Sequence, residues 1–251
     1  MGKISVVGIG PGSTDDMTYR AHRTIEEATA VVGYSRYIQL IADLVEGKKV
    51  LDTGMTQEID RCRAALEEAA AGENVVVISS GDAGIYGMAG LVLELLMKMD
   101  EDQRPAFGGV IPGVSAMSAA AGLLGAPIMH DFAVISLSDL LTPWELIQER
   151  AELAAKGDFV TVLYNPRSHK RVGQIQAVQE IFLRERAPET PVGIVTSASR
   201  EGENVVISTL GAFTKEDINM FSIVIIGNSK TKQNGQWMIT PRGYQKREPG
   251  L

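Results

Sequence analysis

The stretch Ile4-Ser5-Val6-Val7-Gly8-Ile9-Gly10-Pro11-Gly12-Ser13 decides the fold class. Its first half is a short β-branched run of the kind that fills a buried strand, and its second half is a glycine-rich turn. The same pairing recurs outward along the chain. Apolar runs at Val31–Val32, Val50–Leu51, Val75–Ser79 and Gly109–Ile111 alternate with helix-period segments at Thr18–Ala30, Glu58–Ala71 and Gly87–Met99. Strand–helix alternation predicts a mostly parallel sheet with helices on both faces. In Glu58–Ala71 the positions Ile59, Cys62, Leu66 and Ala69 form one stripe, so Cys62 reads as a buried, inert thiol.

The second half differs in texture. Ala133–Ser136, Phe159–Leu163, Val192–Val195, Val205–Thr209 and Ser222–Ile226 read as strands. The stripes Trp144/Ile147/Ala151/Ala154 and Val172/Ile175/Val178/Phe182 read as helices, and Thr214 as a cap starting a further one. The segment Thr196–Asn204 is too short for a crossover helix, so the strands flanking it should pair antiparallel. The expectation is an α/β protein of two α/β domains, residues 1–113 and 114–251, mostly parallel in the first and mixed in the second, with a cleft between them. The charge-free stretch Pro105–Met129 imitates a membrane span, but its prolines and glycines predict instead a buried strand, a turn and a small-residue helix.

Composition narrows the function. The chain has 251 residues and a net charge of −7, which argues against nucleic acid as a partner. One cysteine excludes an internal disulfide and a Cys-rich metal site. Met1-Gly2-Lys3 leads straight into the first strand with no secretory or transit signal, and a reducing cytoplasm is expected. The acidity is uneven: residues 1–113 hold 10 basic and 17 acidic side chains, residues 114–251 hold 14 of each. Two acid-free runs carry cations, Arg167, Lys170 and Arg171 in Phe159–Gln179, and Lys230, Lys232, Arg242, Lys246 and Arg247 in Ile218–Arg247. Such runs are ordinary solvated faces or places where carboxylates are captured.

Six loops put small polar residues after apolar runs: Gly8–Ser13, Ser79–Gly87, Pro112–Ala116, Leu163–Arg167, Thr196–Glu201 and Ile226–Ser229. A single loop of this kind is a turn; six point to a ligand-lined cleft. A dinucleotide fingerprint fails on detail, because Ser13 stands where glycine is required and no acid ends the second strand. Asp82 reads equally as a hydrogen-bond acceptor for a ligand or as a helix cap, and Ser115 as a cap whose hydroxyl still faces a ligand.

The ordered set G-x-G-P-G, G-D-x-x-x-Y-G, P-G-V-S-A, L-Y-N-P and a late G-N-S resembles the tetrapyrrole methylase family over nearly the whole chain. Ser136–Trp144, Leu163–Ser168 and the tail Gly227–Tyr244 are most similar to the branch of that family serving cobalamin synthesis. The resemblance implies two α/β domains and S-adenosylmethionine as methyl donor. It further implies a precorrin-3B or cobalt-factor III macrocycle as substrate, methylated at carbon 17 with ring contraction, and a homodimer. Cofactor contacts implied by the matching positions are Pro11, Gly81, Asp82, Ala83, Tyr86, Ser115, Ala116, Asn165, Ala198 and Asn228. Ala83 departs from the proline common there, which loosens the loop without removing a donor. The substrate would lie over Gly10 and Gly12, with Arg167 and Arg242 meeting its carboxylates. His130, Asp139 and Ser13 are the open candidates for assisting ring contraction. Methylation of another corrin carbon, diphthine synthesis, and nucleotide binding without catalysis stand as alternatives.

Overall fold

The computed structural model describes residues 2–54, 57–168 and 170–244, so His169, Lys246 and Arg247 lie outside the described residues. The chain divides into two compact units, residues 1–116 and 117–251.

The first unit holds β1 (Lys3–Gly8), α1 (Tyr19–Glu26), β2 (Ala30–Tyr34), α2 (Ser35–Gln39), α3 (Ala42–Val45), β3 (Lys49–Thr53), α4 (Glu58–Ala70), β4 (Asn74–Ser79), α5 (Ala89–Leu96) and β5 (Ala106–Ile111). Its five strands are all parallel, in the order β3-β2-β4-β1-β5. Period-2 alternation sorts the strand side chains. Ile4, Val6, Ala30, Val32, Val75 and Val77 pack against Cys62, Leu66 and Ala69 of α4 and Val92 and Leu96 of α5. Val7, Val31, Val76 and Ile78 pack against Ala21 and Ile25 of α1 and Ile41 and Val45 of the α3 region. Both faces are therefore buried, which is why these strands read as continuous apolar runs. Burial pushes the Cys62 thiol up to about 11, against the pull of Arg61 beside it, so it is protonated and inert at neutral pH.

Three details differ from the sequence reading. Ile59 is half exposed, and Arg61 takes the inward place instead, 3% exposed. Its Nε donates to Thr53 Oγ1 at 2.7 Å and its Nη2 to the Gly54 carbonyl at 2.8 Å. A long side chain can bury its stem while its head satisfies backbone and hydroxyl acceptors, which periodicity does not register. Second, β5 is an edge strand, not a buried one: Phe107 and Val110 are partly exposed and only Ile111 of its apolar residues is buried. Third, the first helix is shorter than Thr18–Ala30; Thr18 caps it by accepting from Ala21 N at 3.1 Å.

The second unit begins within α6 (Ala116–Leu124) and holds β6 (Gly125–Ala126), β7 (Phe132–Ser136), α7 (Trp144–Lys156), β8 (Val160–Tyr164), α8 (Gln174–Leu183), β9 (Pro191–Thr196), β10 (Asn204–Thr209), β11 (Ser222–Ile226), β12 (Lys232–Asn234) and β13 (Trp237–Ile239). Its main sheet runs β10-β9-β11-β8-β7; only β7 and β8 pair parallel, and β9 and β10 pair antiparallel as expected. Ile147, Ala151 and Ala154 of α7 and Ile175, Val178 and Phe182 of α8 bury against Leu163, Ile194 and Val224. Val172 is exposed and precedes α8, so the stripe starts one step later than read. Thr214 caps no α-helix: residues Phe213–Lys215 form one 3-10 turn, and the Thr214 hydroxyl donates to Gln179 Oε1 at 2.9 Å. The small sheet β12-β13-β6 had no sequence signal, because two- and three-residue strands leave no period to count.

Arg186 is the main polar anchor of this unit. It is 7% exposed and lies over the Phe182 ring at 4.7 Å. It donates to the carbonyls of Gly227, Phe159 and Ala154 and stands 3.6 Å from Asp158 Oδ1. Burial lowers its pKa and Asp158 opposes that shift. Arg186→Met would leave those carbonyls without a donor inside the fold. It is expected to cost about 3 kcal/mol, read as a lowered urea midpoint at unchanged slope.

Candidate active site

In the first unit, α1 leaves β1 toward one face of the sheet, while α5 leaves β4 toward the other. β1 and β4 are neighbours. Their carboxyl ends therefore flank a topological switch point, the place where open parallel sheets hold ligands.

The loops at that point are tied to one another by backbone. Gly10 and Gly81 form a two-way bridge, Gly10 N to Gly81 O at 3.2 Å and Gly81 N to Gly10 O at 2.7 Å. Both glycines take left-handed φ values, +81° and +65°, which a side chain would resist. A Cβ on Gly8 would sit 2.6 Å from Gly81 O and 2.8 Å from Gly113 N; one on Gly113 would sit 2.2 Å from Gly81 O. The three loops after β1, β4 and β5 approach one another closer than any side chain permits.

Asp82 completes this arrangement. Its Oδ1 accepts from Gly84 N at 2.8 Å and its Oδ2 from Gly113 N at 3.0 Å. The carboxylate caps its own turn and bridges to the loop after β5; it caps no helix, since α5 starts only at Ala89 with Met88 at its N-cap. Around it, Pro11, Gly81, Ala83 and Ser115 are buried, Gly12, Ser13 and Ala116 half-buried, and Tyr86 exposed with φ +53°. Ser13 Oγ accepts from Asp15 N at 3.1 Å, which leaves the hydroxyl proton to be donated. Loop residues 8–16, 79–88 and 112–116 contain Asp15, Asp16 and Asp82 and not one Lys or Arg. Such a crevice suits a small ligand bearing positive charge.

In the second unit, β7, β8 and β9 point the same way, because β11 is antiparallel to both β8 and β9. The loops bearing Asp139, Asn165 and Ala198 therefore share one end of the sheet. Asn165 has φ +51°, and Ser197 and Ser199 have φ +54° and +58° on either side of buried Ala198. Non-glycine residues in this region are strained and cluster at functional sites. The Asn165 turn is held from two sides: Nδ2 donates to Ser136 Oγ at 2.9 Å, and Arg171 Nη2 donates to the Asn165 carbonyl at 3.3 Å. Tyr164 Oη accepts from Met117 N at 3.0 Å.

Asn228 does not join them. The same antiparallel course of β11 carries Gly227–Ser229 to the opposite end of the sheet, where Ser229 N and Oγ both donate to Asp158. Asn228 Oδ1 accepts from Lys230 N at 2.9 Å and from the Thr231 hydroxyl at 3.2 Å. His130 lies at that far end as well, just before β7, with Asp131 O accepting from Val160 N at the start of β8. The five residues of β7 separate it from Asp139 by roughly 16 Å. His130 Nδ1 accepts from Asp131 N at 2.8 Å. Asp139 has both oxygens engaged, Oδ1 3.8 Å from Arg171 Nη1 and Oδ2 accepting from Gln174 Nε2 at 3.0 Å. His130 and Asp139 thus stand at opposite ends of the second unit's sheet, and Ser13 in the first unit's crevice. Arg167 is half-buried and Arg242 exposed, each following a proline.

The described residues contain no group of three His, Cys, Asp or Glu placed to hold a metal ion, and no helix among them is long and apolar enough to cross a membrane. A backbone-lined switch-point crevice with acidic character defines an α/β protein that positions a small ligand. Residues 3–214 match the family described as Tetrapyrrole (Corrin/Porphyrin) Methylases, and the chain belongs to that family.

Among its relatives, the Salmonella typhimurium protein named "Probable cobalt-factor III C(17)-methyltransferase" is 50% identical over 243 residues, covering 96% of this chain and 99% of the relative. The Priestia megaterium "Cobalt-factor III methyltransferase" is 49% identical over 247 residues; that match covers 98% of this chain but 46% of the relative, which is about twice as long. The crystal structure of the methyltransferase CobJ superposes with a TM-score of 0.90 at 38% identity, over 96% of this chain and 100% of that one. A Thermus thermophilus uroporphyrin-III C-methyl transferase, complexed with S-adenosyl homocysteine, shares the fold at 24% identity, over 90% of this chain and 97% of that one, with a TM-score of 0.70.

Proposed function

We propose that the chain transfers a methyl group from S-adenosylmethionine to carbon 17 of a cobalt-factor III or precorrin-3B macrocycle, with ring contraction, in cobalamin biosynthesis. The observation that carries this reading is the end-to-end match to the Salmonella relative. The crevice fits the donor chemically. A sulfonium is repelled by cations and stabilised by carbonyls, and the loops offer backbone and carboxylate without a basic side chain. When bound, the donor supplies an electrophilic methyl group; the protein's task is then to position and desolvate, which can contribute on the order of 7–11 kcal/mol.

Pro11, Gly81, Asp82, Ala83, Tyr86, Ser115 and Ala116 are proposed as the donor's contacts from the first unit, Asn165 and Ala198 from the second. Asn228 is assigned to holding its own turn, since its side-chain oxygen is already spent there. Gly10 and Gly12 are proposed to lie beneath the substrate, with Arg167 and Arg242 meeting its carboxylates.

Of the ring-contraction candidates we assign Ser13. It lies in the first unit's crevice and keeps a hydroxyl proton to give, whereas Asp139 is engaged on both oxygens and His130 stands at the far end of the second sheet. Ser13→Ala is expected to keep the dissociation constant for S-adenosylhomocysteine within about twofold and to lower turnover about 100-fold. Equal turnover in the variant would remove Ser13 from the chemistry.

A cytoplasmic homodimer is part of this reading; sedimentation equilibrium checks the dimer. The function itself is tested by offering labelled donor with metal-free and cobalt-bound substrate under anaerobic conditions. Tight nucleotide binding without methyl transfer would favour the non-catalytic alternative, and label at another carbon a different member of the family.

A further inference from the structure

At the end of the second sheet that bears Asn165 and Ala198, the loop leaving β7 raises two apolar side chains into solvent. Leu140 is 79% exposed and Leu141 98% exposed. The loop beneath them is fixed. Leu137 is fully buried and its N–H donates to Tyr164 O at 2.9 Å; Ser138 N donates to Ser136 Oγ at 3.2 Å. Asp139 is clamped between Arg171 and Gln174. Arg171 is mostly buried, and its Nη2 reaches the Asn165 carbonyl. Two leucines at the tip of a tethered loop hold apolar area in water at a standing cost, which an occupant would recover.

The neighbouring loop states what kind of occupant. It carries Arg167, half-buried, and Lys170, exposed, in a run without acids, and it is joined to the leucine loop through the Arg171–Asp139 and Gln174–Asp139 contacts. Arg171 itself is mostly buried in that joint, facing Asp139 and the Asn165 carbonyl. The result is an apolar tip beside two cations. Its complement is a flat apolar body rimmed by carboxylates, the chemistry of a tetrapyrrole bearing acid side chains. We propose that Leu140 and Leu141 are substrate contacts that pack on the face of the macrocycle, with Asp139, Arg171 and Gln174 as positioning residues. This rests on the methyltransferase reading above and adds the residues that recognise the ring.

The test is Leu140→Ser/Leu141→Ser in the full chain, with Leu153→Ser, an exposed leucine on α7, as control. The double variant is expected to raise KM for cobalt-factor III about 10–100-fold. Its S-adenosylhomocysteine affinity, melting temperature and sedimentation mass should match the wild type. Trp144 begins α7, and quenching of tryptophan fluorescence by the absorbing macrocycle should shift to correspondingly higher concentration. Unchanged KM in the variant overturns the proposal. A fall in mass with KM unchanged also overturns it, and identifies the leucines as a contact between copies of this chain. If the wild type itself turns over no tetrapyrrole and its fluorescence is not quenched, the functional reading fails as well.

Discussion

Gly113→Ala is expected to destabilise the protein by about 3 kcal/mol and to abolish measurable S-adenosylhomocysteine binding. A Cβ at this position would sit 2.2 Å from Gly81 O and 2.7 Å from both Gly8 C and Gly8 O. All three atoms are backbone, in two other loops, so none can swing away as a side-chain end would. Overpacking costs typically about 1–3 kcal/mol when side chains can adjust, and this site lies at the upper end because they cannot. The loops can separate only by breaking the Gly10–Gly81 bridge and the Asp82–Gly113 bond, which are the geometry of the crevice. Gly90→Ala provides the comparison. It lies on α5 with nothing within 4 Å of the added methyl, and should stabilise by about 0.4–1 kcal/mol. Urea denaturation of the two variants reads both signs; equal midpoints would refute the account of how the loops are held.

Asp82→Ala should weaken S-adenosylhomocysteine binding about 10–100-fold while leaving the fold intact. The carboxylate accepts two backbone N–H bonds, and hydrogen bonds to a charged acceptor contribute about 1.5–3 kcal/mol each. Their loss frees the turn at Gly84 and detaches the loop at Gly113, so the binding geometry must be ordered anew at each encounter. Asp82→Asn keeps one carbonyl oxygen and should fall between the two. Calorimetric titration decides the matter, and an alanine variant that binds as tightly as the wild type would show the bridge to be irrelevant to the crevice.

The contrast between the two halves explains what could be read from sequence. In the first unit every strand is parallel, so each apolar run followed by glycines sends its loop to the same end, and order along the chain suffices to gather Gly10, Gly81 and Ser115. In the second unit the same local pattern misleads. Gly227-Asn228-Ser229 looks like Leu163-Tyr164-Asn165-Pro166, yet β11 runs against β8 and carries its loop to the far end. Strand direction is a tertiary property with no signature in a five-residue run. His130 and Asp139 are parted for a related reason: they are close in sequence, but the length of β7 lies between them.

Charge reading shows the same limit. The acid-free run containing Arg167, Lys170 and Arg171 counted three available cations, but Arg171 is committed to Asp139 and to the Asn165 carbonyl. Asp139 lies outside the run and only the fold brings it there. Arg61 and Arg186, both nearly buried, gave no signal because arginine is read as surface unless its acceptors are known. The first unit's acidity, by contrast, acquires a place: three of its carboxylates stand in the loops of the crevice, where a cationic donor is expected.

The central claim is tested most directly by incubating the purified protein with cobalt-factor III and S-adenosylmethionine labelled with carbon-13 in the methyl group, then locating the label by NMR. The account predicts one labelled methyl on carbon 17 of a ring-contracted product. S-adenosylmethionine bound at full stoichiometry, with substrate present and no label transferred, would contradict it.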